Sequence, residues 1–360
     1  MIYILVALSL LALSYVTLGA PRMRMRLYWP VFAFLFLFAS FRYQVGCDWS
    51  GYYGQYESAK LVARNLIANL SEPLWWIIMA WLKGQKLYYP LINVIAGAIF
   101  FAGVHVLARR QPDRLAFLVM LFPILIINLP MSGIRQGAAI GVMCFAFAAF
   151  IDRRPLRFAL LVALAGGFHT SALVFMILAP ISTGNYSRNR LLIAGLLAVP
   201  GLLFLAQSSG GLLATTRYID TDKDAAGAIF RVGAIALTGL YFRLFLRRKW
   251  EQDFPKDLPL ASIGSLGMLA AFVLVPLSSV IADRFAYYFI PIQAMMFARL
   301  PYFTFARSKW QHVALPYVAL AVMFVGWTQA SSLFDGCYMP YRTWLFGAPA
   351  GDILKGGASL

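Results

Sequence analysis

The chain has 360 residues, of which 61% are hydrophobic and only 12% charged, yet its formal net charge is +17. A soluble globular domain carries about 25% charged residues, so that class is excluded. Most of the 31 Lys and Arg residues sit in short loops between apolar runs (Arg22–Arg26, Arg109–Arg114, Arg153–Arg157, Arg188–Arg190, Arg243–Lys256, Arg299–Lys309), which follows the positive-inside rule and makes membrane lipids, not nucleic acid, the partner of the basic excess.

The chain reads as an all-α, polytopic integral membrane protein: one transmembrane domain over 1–360, with a loop at 42–72 and a tail at 334–360 on the outer side. Ile2 to Ala20 has no preceding positive charge and no small-x-small cleavage pattern. It is expected to stay as a first helix with its N-terminus outside. Further spans are expected near Tyr28–Phe41, Tyr88–Ala108, Leu115–Leu129, Gly133–Ile151, Leu191–Gln207, Ala228–Leu246, Leu258–Ile281, Phe285–Ala298 and Val313–Leu333. Leu156–Ile181 carries Gly166-Gly167 in its middle and reads as a broken hairpin. Pro73–Leu82 is apolar but short, so it reads as a re-entrant or interfacial segment. These choices keep every basic loop inside and give ten to twelve crossings.

The outer face then collects the unusual residues. The run FRYQVGCDWSGYYGQYE holds Arg42, Asp48, Trp49, Tyr52 and Tyr53. A helix from Asp48 onward places Asp48, Tyr52 and Tyr56 on one face. Acid, hydroxyl and aromatic groups suit a sugar, and they equally suit an interfacial aromatic belt with Asp48 as a helix cap. Ser71-Glu72-Pro73 reads as a helix start, with Ser71 as cap and Glu72 at the positive end; Glu72 is a secondary candidate for substrate.

Arg135 stands just inside an otherwise apolar span. A guanidinium in hydrocarbon costs at least a few kcal/mol, so it needs either Asp283 or Glu72 as a partner or an anionic lipid headgroup. Ser132 and Gly133 are candidate amide donors to such an anion at a helix N-terminus, and Gln136 adds a neutral hydrogen-bonding group. His169, beside the glycine break, is either hydrogen-bonded structure or the one histidine placed to accept a proton near neutral pH. Asp283-Arg284 is a charged pair in which Arg284 is a second candidate phosphate contact. The tail CYMPYRTWLFG is too aromatic to stay free and is expected to fold back over the outer face. Cys47 and Cys337 fall on the same side and are a candidate disulfide, while Cys144 lies in a helix. Three His and three Cys show no HxxxH or CxxC spacing, so no metal and no cofactor are expected.

In this order, Arg42 to Trp49 (RYQVGCDW), Glu72-Pro73, Ile134-Arg135-Gln136, His169-Thr170-Ser171, Arg284 with Tyr287-Tyr288, and Pro340-Tyr341 resemble the EpsG family of Wzy-type polysaccharide polymerases. Cys47 departs from the small or hydroxyl residue expected there. The resemblance implies a GT-C-like fold with a periplasmic-side cavity, in the bacterial inner membrane. It implies a glycosyltransferase that joins polyprenyl diphosphate-linked oligosaccharide repeat units into O-antigen, capsule or exopolysaccharide, with a chain-length regulator as a candidate partner. Arg135, Arg284 and Arg42 would hold the diphosphate, His169 or Asp48 would be the base, and Trp49, Tyr52, Tyr53, Gln136, Glu72 and Tyr341 would meet the sugars. Two rivals stay open: an O-antigen ligase, disfavoured by the short Ser208–Gly227 loop, and a transporter or flippase of lipid-linked sugars, disfavoured by the lack of a repeat.

Overall fold

The computed structural model describes residues 1–64 (backbone only for 60–64), 72–182, 187–189, 192–193, 196, 227–304 and 309–347. Among these there is no β-strand, only one isolated bridge between Arg42 and Thr343. The all-α expectation is borne out. The numbered α-helices among the described residues are α1 Ile2–Val16, α2 Pro21–Ser40, α3 Trp49–Arg64, α4 Pro73–Gly84, α5 Leu91–Ala108, α6 Arg114–Leu121, α7 Ile134–Ile151, α8 Pro155–Gly166, α9 Ala228–Tyr241, α10 Leu258–Val273, α11 Ser279–Ala286, α12 Ile290–Arg299, α13 Lys309–Ala330 and α14 Ser332–Tyr338; a short helix Arg247–Asp253 continues the span that α9 begins. Six described segments are long and apolar enough to cross a bilayer: Ile2–Gly19, Leu91–Ala108, Ile134–Ile151, Ala228–Asp253, Pro255–Val273 and Lys309–Ala330. Two apolar helices, Arg114–Ile126 and Pro155–Gly166, are shorter. The expected span Leu191–Gln207 and the loop Ser208–Gly227 lie outside the described residues, apart from single positions.

α7 is the centre of the bundle. Of its residues 89% are buried, against 33% of the most apolar 18-residue stretch of α13 at the periphery. Leu5, Phe230, Leu237, Leu315, Val318 and Val322 are exposed on the outer helices, as a bilayer solvent requires. Small residues set the packing of α5 on α7. A Cβ at Gly103 would stand 1.7 Å from the carbonyl oxygen of Gly141, and one at Gly141 would stand 2.4 Å from the Phe100 Cα. The two backbones touch where no side chain intervenes.

Ion pairs sort the two ends of the bundle. Arg24 pairs with Asp113, Arg110 with Asp152 through two hydrogen bonds of 2.8 and 2.6 Å, and Arg299 with Asp257. These contacts gather the start of α2, the α5–α6 turn, the end of α7, the start of α10 and the end of α12 at one basic end. Asp113 also caps α6 by accepting from the Ala116 amide. α2 begins earlier than expected, at Pro21, so Arg24 is buried in its first turns rather than in a loop. The expected boundary between the spans at 281 and 285 also moves. α10 ends at Val273, Pro276 follows, and Ser278 caps α11 by accepting from the Ile281 amide.

The opposite end holds Phe41 to Asp48, α4, the 128–133 turn, Gly167 to His169 and the tail. α4 has both flanks there. Leu74 N donates to Gly167 O at 3.0 Å, and beyond its far end Tyr89 OH donates to Trp49 O at 2.9 Å. A helix of 12 residues that starts and ends at one end does not cross, in line with a re-entrant or interfacial segment. α8 stops at Gly166, His169 is extended, and a 3-10 turn runs over Thr170–Leu178, so the break falls where the two glycines stand.

The tail closes over the start of the first loop. Tyr43 N donates to Arg342 O at 2.9 Å, Trp344 N to Phe41 O at 3.0 Å, and Gly46 N to Cys337 O at 2.7 Å. Cys47 and Cys337 are joined in a disulfide, with their Cα atoms 4.7 Å apart. Gly46 has φ +103, and a Cβ there would meet Met131 O at 1.9 Å, so this close approach requires glycine.

Candidate active site

One cavity of about 250 Å³ opens at the end opposite the basic loops. Its wall brings together Asp48, Tyr52, Arg135, Gln136, His169 and Arg284 from four separate stretches of chain. α3 contributes one face, because Asp48, Gly51, Tyr52 and Gln55 recur at the helical spacing and all line it. Tyr56, expected on this face, instead packs on Tyr89 and donates to Leu87 O at 2.6 Å. The helix after Asp113 passes through a π turn at Phe122–Ile126, the kind of irregularity found at functional sites. It delivers Asn128 and Leu129 to the wall.

Arg135 is the second residue of α7. Its Nη1 pairs with Glu72 Oε2, and its guanidinium lies 5.7 Å from the Tyr52 ring centroid. Of the two internal partners the sequence leaves open, the fold selects Glu72. The pair is not sealed: the Arg135 side chain keeps 29% exposure, on the cavity side. Glu72 is the residue before α4, with φ 60, and caps nothing with its side chain; Ser71 lies outside the described residues. The expectation of an acid serving its own helix end is corrected: Glu72 turns to Arg135 and to the Thr170 amide at 3.4 Å. The amides of Ser132 and Gly133, expected as anion donors, are taken by Leu129 O and Asn128 O, both at 3.1 Å. The next amides, of Arg135 and Gln136, head α7 and have no acceptor within the helix.

Asp283, the other possible partner of Arg135, is gripped by Arg231 through two hydrogen bonds of 3.0 and 2.8 Å. Arg231 escapes sequence reasoning because it sits in an apolar run and its partner lies 52 residues away. Arg284 is exposed on the cavity wall, and its carbonyl accepts from Gln136 Nε2 at 2.5 Å, which ties α11 to α7. His169 Nδ1 contacts Ser171 Oγ at 2.6 Å, and Ser171 Oγ contacts Tyr288 OH at 2.9 Å. Burial, then the charges of Arg135 and Arg284, pushes the His169 pKa well below the usual imidazole range. Asp48 is exposed and accepts from Ser132 Oγ at 3.4 Å.

The remaining candidates stand away from the wall. Arg42 is 1% exposed, donates to Val45 O at 2.8 Å and Ala39 O at 3.1 Å, and lies 5.8 Å from the Trp49 ring. Its charge fixes the turn out of α2 rather than facing the cavity. Trp49 and Tyr53 pack edge-on against Tyr89. Tyr341 stacks on Phe38 at 4.5 Å and donates to Phe38 O. Sequence reasoning missed Gln55, Asn128 and Arg231 at this site. Gln55 carried a usable signal, seven residues after Asp48 on the same helical face. Among the described residues, no three His, Cys, Asp or Glu stand close enough to hold a metal ion.

No curated protein and no solved structure matches the chain. The family model described as "EpsG family" matches residues 25–343, a stretch that takes in every wall residue named above. On that match, over most of its length, the chain belongs to the EpsG family.

Proposed function

We propose that this protein lengthens a polysaccharide at the periplasmic face of the bacterial inner membrane, by joining oligosaccharide repeat units carried on polyprenyl diphosphate. EpsG membership implies a Wzy-like polysaccharide polymerase acting on lipid-linked oligosaccharides. The observation that carries the finer reading is the shared wall. Two guanidinium groups, Arg135 and Arg284, line the same cavity as two proton acceptors, Asp48 and His169, at the end away from the basic loops.

In the reaction, an acceptor hydroxyl oxygen bonds to the anomeric carbon of the donor. The anomeric C–O bond to the diphosphate breaks, and its electron pair leaves with the lipid diphosphate. Fixed cations placed where that negative charge develops lower the barrier without rearranging. Arg135 is the better positioned of the two, held from one side by Glu72 and from another by the Tyr52 ring, and Arg284 faces the same space. The hydroxyl proton passes to Asp48 or His169. Tyr52, Gln55 and Gln136 offer hydrogen-bonding groups to the sugars, and Arg42 serves the reading only by holding the loop that presents Asp48.

The test is polymerisation of purified lipid-linked repeat units by the purified protein. Wild type is expected to give a ladder of chain lengths. Arg135→Ala is expected to insert normally and lose about 10²–10³-fold in rate, the usual cost of removing one positioned charge-stabilising group. Wild-type chain lengths from that variant would sink the assignment.

A further inference from the structure

Two glycines line the candidate active-site cavity, Gly51 and Gly133. At Gly133 a Cβ would press on Leu129 Cδ2 at 3.1 Å, so packing accounts for the missing side chain. At Gly51 a Cβ would meet nothing within 4 Å. Gly51 lies in the first turn of α3, and its φ is outside the left-handed region. Neither a turn nor a close approach calls for glycine there, and glycine weakens a helix relative to alanine. The bare position works against the helix that carries it, and what it leaves is open space on the cavity wall.

The surroundings of Gly51 are fixed. On the same face of α3, Asp48 stands one turn before it and Gln55 one turn after, with Tyr52 adjacent, and all three line the wall. Each is held by a different element. Asp48 accepts from Ser132 Oγ at 3.4 Å, the Tyr52 ring lies 5.7 Å from the Arg135 guanidinium, and Gln55 Oε1 accepts from Trp75 Nε1 at 2.9 Å. Carboxylate, phenol and amide thus surround a spot with no side chain. A sugar ring carries hydroxyl groups around its rim and C–H groups on its faces, so it can lie flat on such a spot while its rim meets the polar groups. The cavity holds about 250 Å³, below the roughly 300–1,000 Å³ of sites that enclose a drug-sized ligand. It takes only part of an oligosaccharide, and Arg135 beside Tyr52 makes that part the sugar next to the diphosphate.

We propose that Gly51 is a specificity-determining residue: its missing side chain forms the subsite for the sugar ring attached to the lipid diphosphate, and it sets how large a ring the site admits. The inference rests on the reading of the cavity as a site for lipid-linked sugars and adds the place of the first sugar. Gly54, three residues further along α3, is the internal comparison. It too is exposed and would have nothing within 4 Å of a Cβ, and it does not line the cavity.

The full-length protein is placed in phosphatidylcholine nanodiscs with one of two probes: lipid-linked repeat units extracted from the cells that make them, or polyprenyl diphosphate without sugar. Retention of each is measured by native mass spectrometry, beside the melting temperature and the rate of polymerisation. Gly51→Trp is expected to retain the glycosylated lipid at least tenfold less than wild type, to keep the bare diphosphate within twofold, and to polymerise about 10²-fold more slowly. Gly51→Ala is expected to show a few-fold loss for the glycosylated lipid with an equal or higher melting temperature, since alanine favours the helix. Gly54→Ala and Gly54→Trp are expected to match wild type with both probes.

Equal loss of both probes in Gly51→Trp, or loss of neither, would overturn the subsite. So would a lower melting temperature for Gly51→Ala than for Gly54→Ala, which would show that the fold needs this glycine. Wild type that retains the glycosylated lipid but makes no chains would defeat the polymerase reading alone, and the two Trp variants would still decide the subsite by binding. Wild type that makes chains, with Gly51→Trp making them at the same rate, would defeat the subsite alone. Wild type that retains neither lipid would overturn both.

Discussion

Two arginine–carboxylate pairs sit at opposite ends of this bundle and do different jobs. At the basic end, Arg299 is 1% exposed and bonds Asp257 and Gln111, with its guanidinium 4.5 Å from the Phe254 ring and 4.9 Å from the Trp250 ring. Every face of that cation is occupied by protein. At the cavity end, Arg135 bonds Glu72 on one side and keeps its other side toward a cavity. A closed pair spends its charge on holding helices together. An open pair leaves charge where an anionic ligand can use it, and the supporting carboxylate aims the fork. The same contrast separates Arg42, buried against its own turn's carbonyls, from Arg284, exposed on the wall.

Arg299→Ala breaks the comparison at its closed end and carries the largest expected effect on stability. It strands Asp257 in a largely dry site. Removing one member of a buried pair costs about 3–5 kcal/mol. Unfolding in detergent is expected to show that loss, while the protein that remains folded polymerises at the normal rate. A variant of normal stability and low activity would reverse the roles assigned to the two ends.

Glu72→Gln sharpens the open end, with a smaller expected effect. The side chain keeps its size and loses the charge that aims Arg135. Glu72 also touches the Thr170 amide, so it steadies the stretch next to His169. Misplacing a reacting group by about 1 Å is enough to cost up to 10²-fold. The expected result is a fall of about tenfold or more in kcat with KM little changed. A rise in KM alone would make Glu72 a plain sugar contact.

How much of this was legible in the sequence depends on the range of the signal. Gly166-Gly167 announced a break, because two adjacent residues without side chains weaken a helix locally. Asp48 and Tyr52 announced a shared face, because helical spacing is local. The convergence of the basic loops followed from charge alone. What the sequence left undecided is pairing across the fold: the choice of Glu72 over Asp283 for Arg135, 63 residues away, stayed open, and Arg231 with Asp283, 52 apart, stayed hidden. No local pattern marks either carboxylate as taken. Arg42 misled for a related reason. Its charge is visible in the sequence, and the carbonyls of Ala39 and Val45 that turn back onto it are not. Tyr341 and Trp49 read as sugar contacts because aromatic residues look alike whether they meet a ligand or, as here, Phe38 and Tyr89.

The smallest expected effect is a pH profile with a feature missing. His169 stands in the break after α8, and its pKa is held well below the imidazole range by burial and by the charges of Arg135 and Arg284. In the unfolded chain the same group titrates near 6.5. As pH falls through about 6.5 the unfolded state takes up the proton first, so this group lowers stability on the acid side and adds nothing above neutrality. The loss approaches 1.36 kcal/mol per pH unit at most. In the folded enzyme the imidazole is neutral throughout the range above 6.5 and available to accept a proton. The rate is therefore expected to be flat in that range as far as His169 is concerned. His169→Gln is expected to lower the plateau without moving its edges there, and to remove part of the acid-side loss of stability. An inflection near pH 6.5 in wild type that disappears in His169→Gln would show a histidine carrying an ordinary pKa, and so a site wetter and less positive than Arg135, Arg284 and their cavity make it.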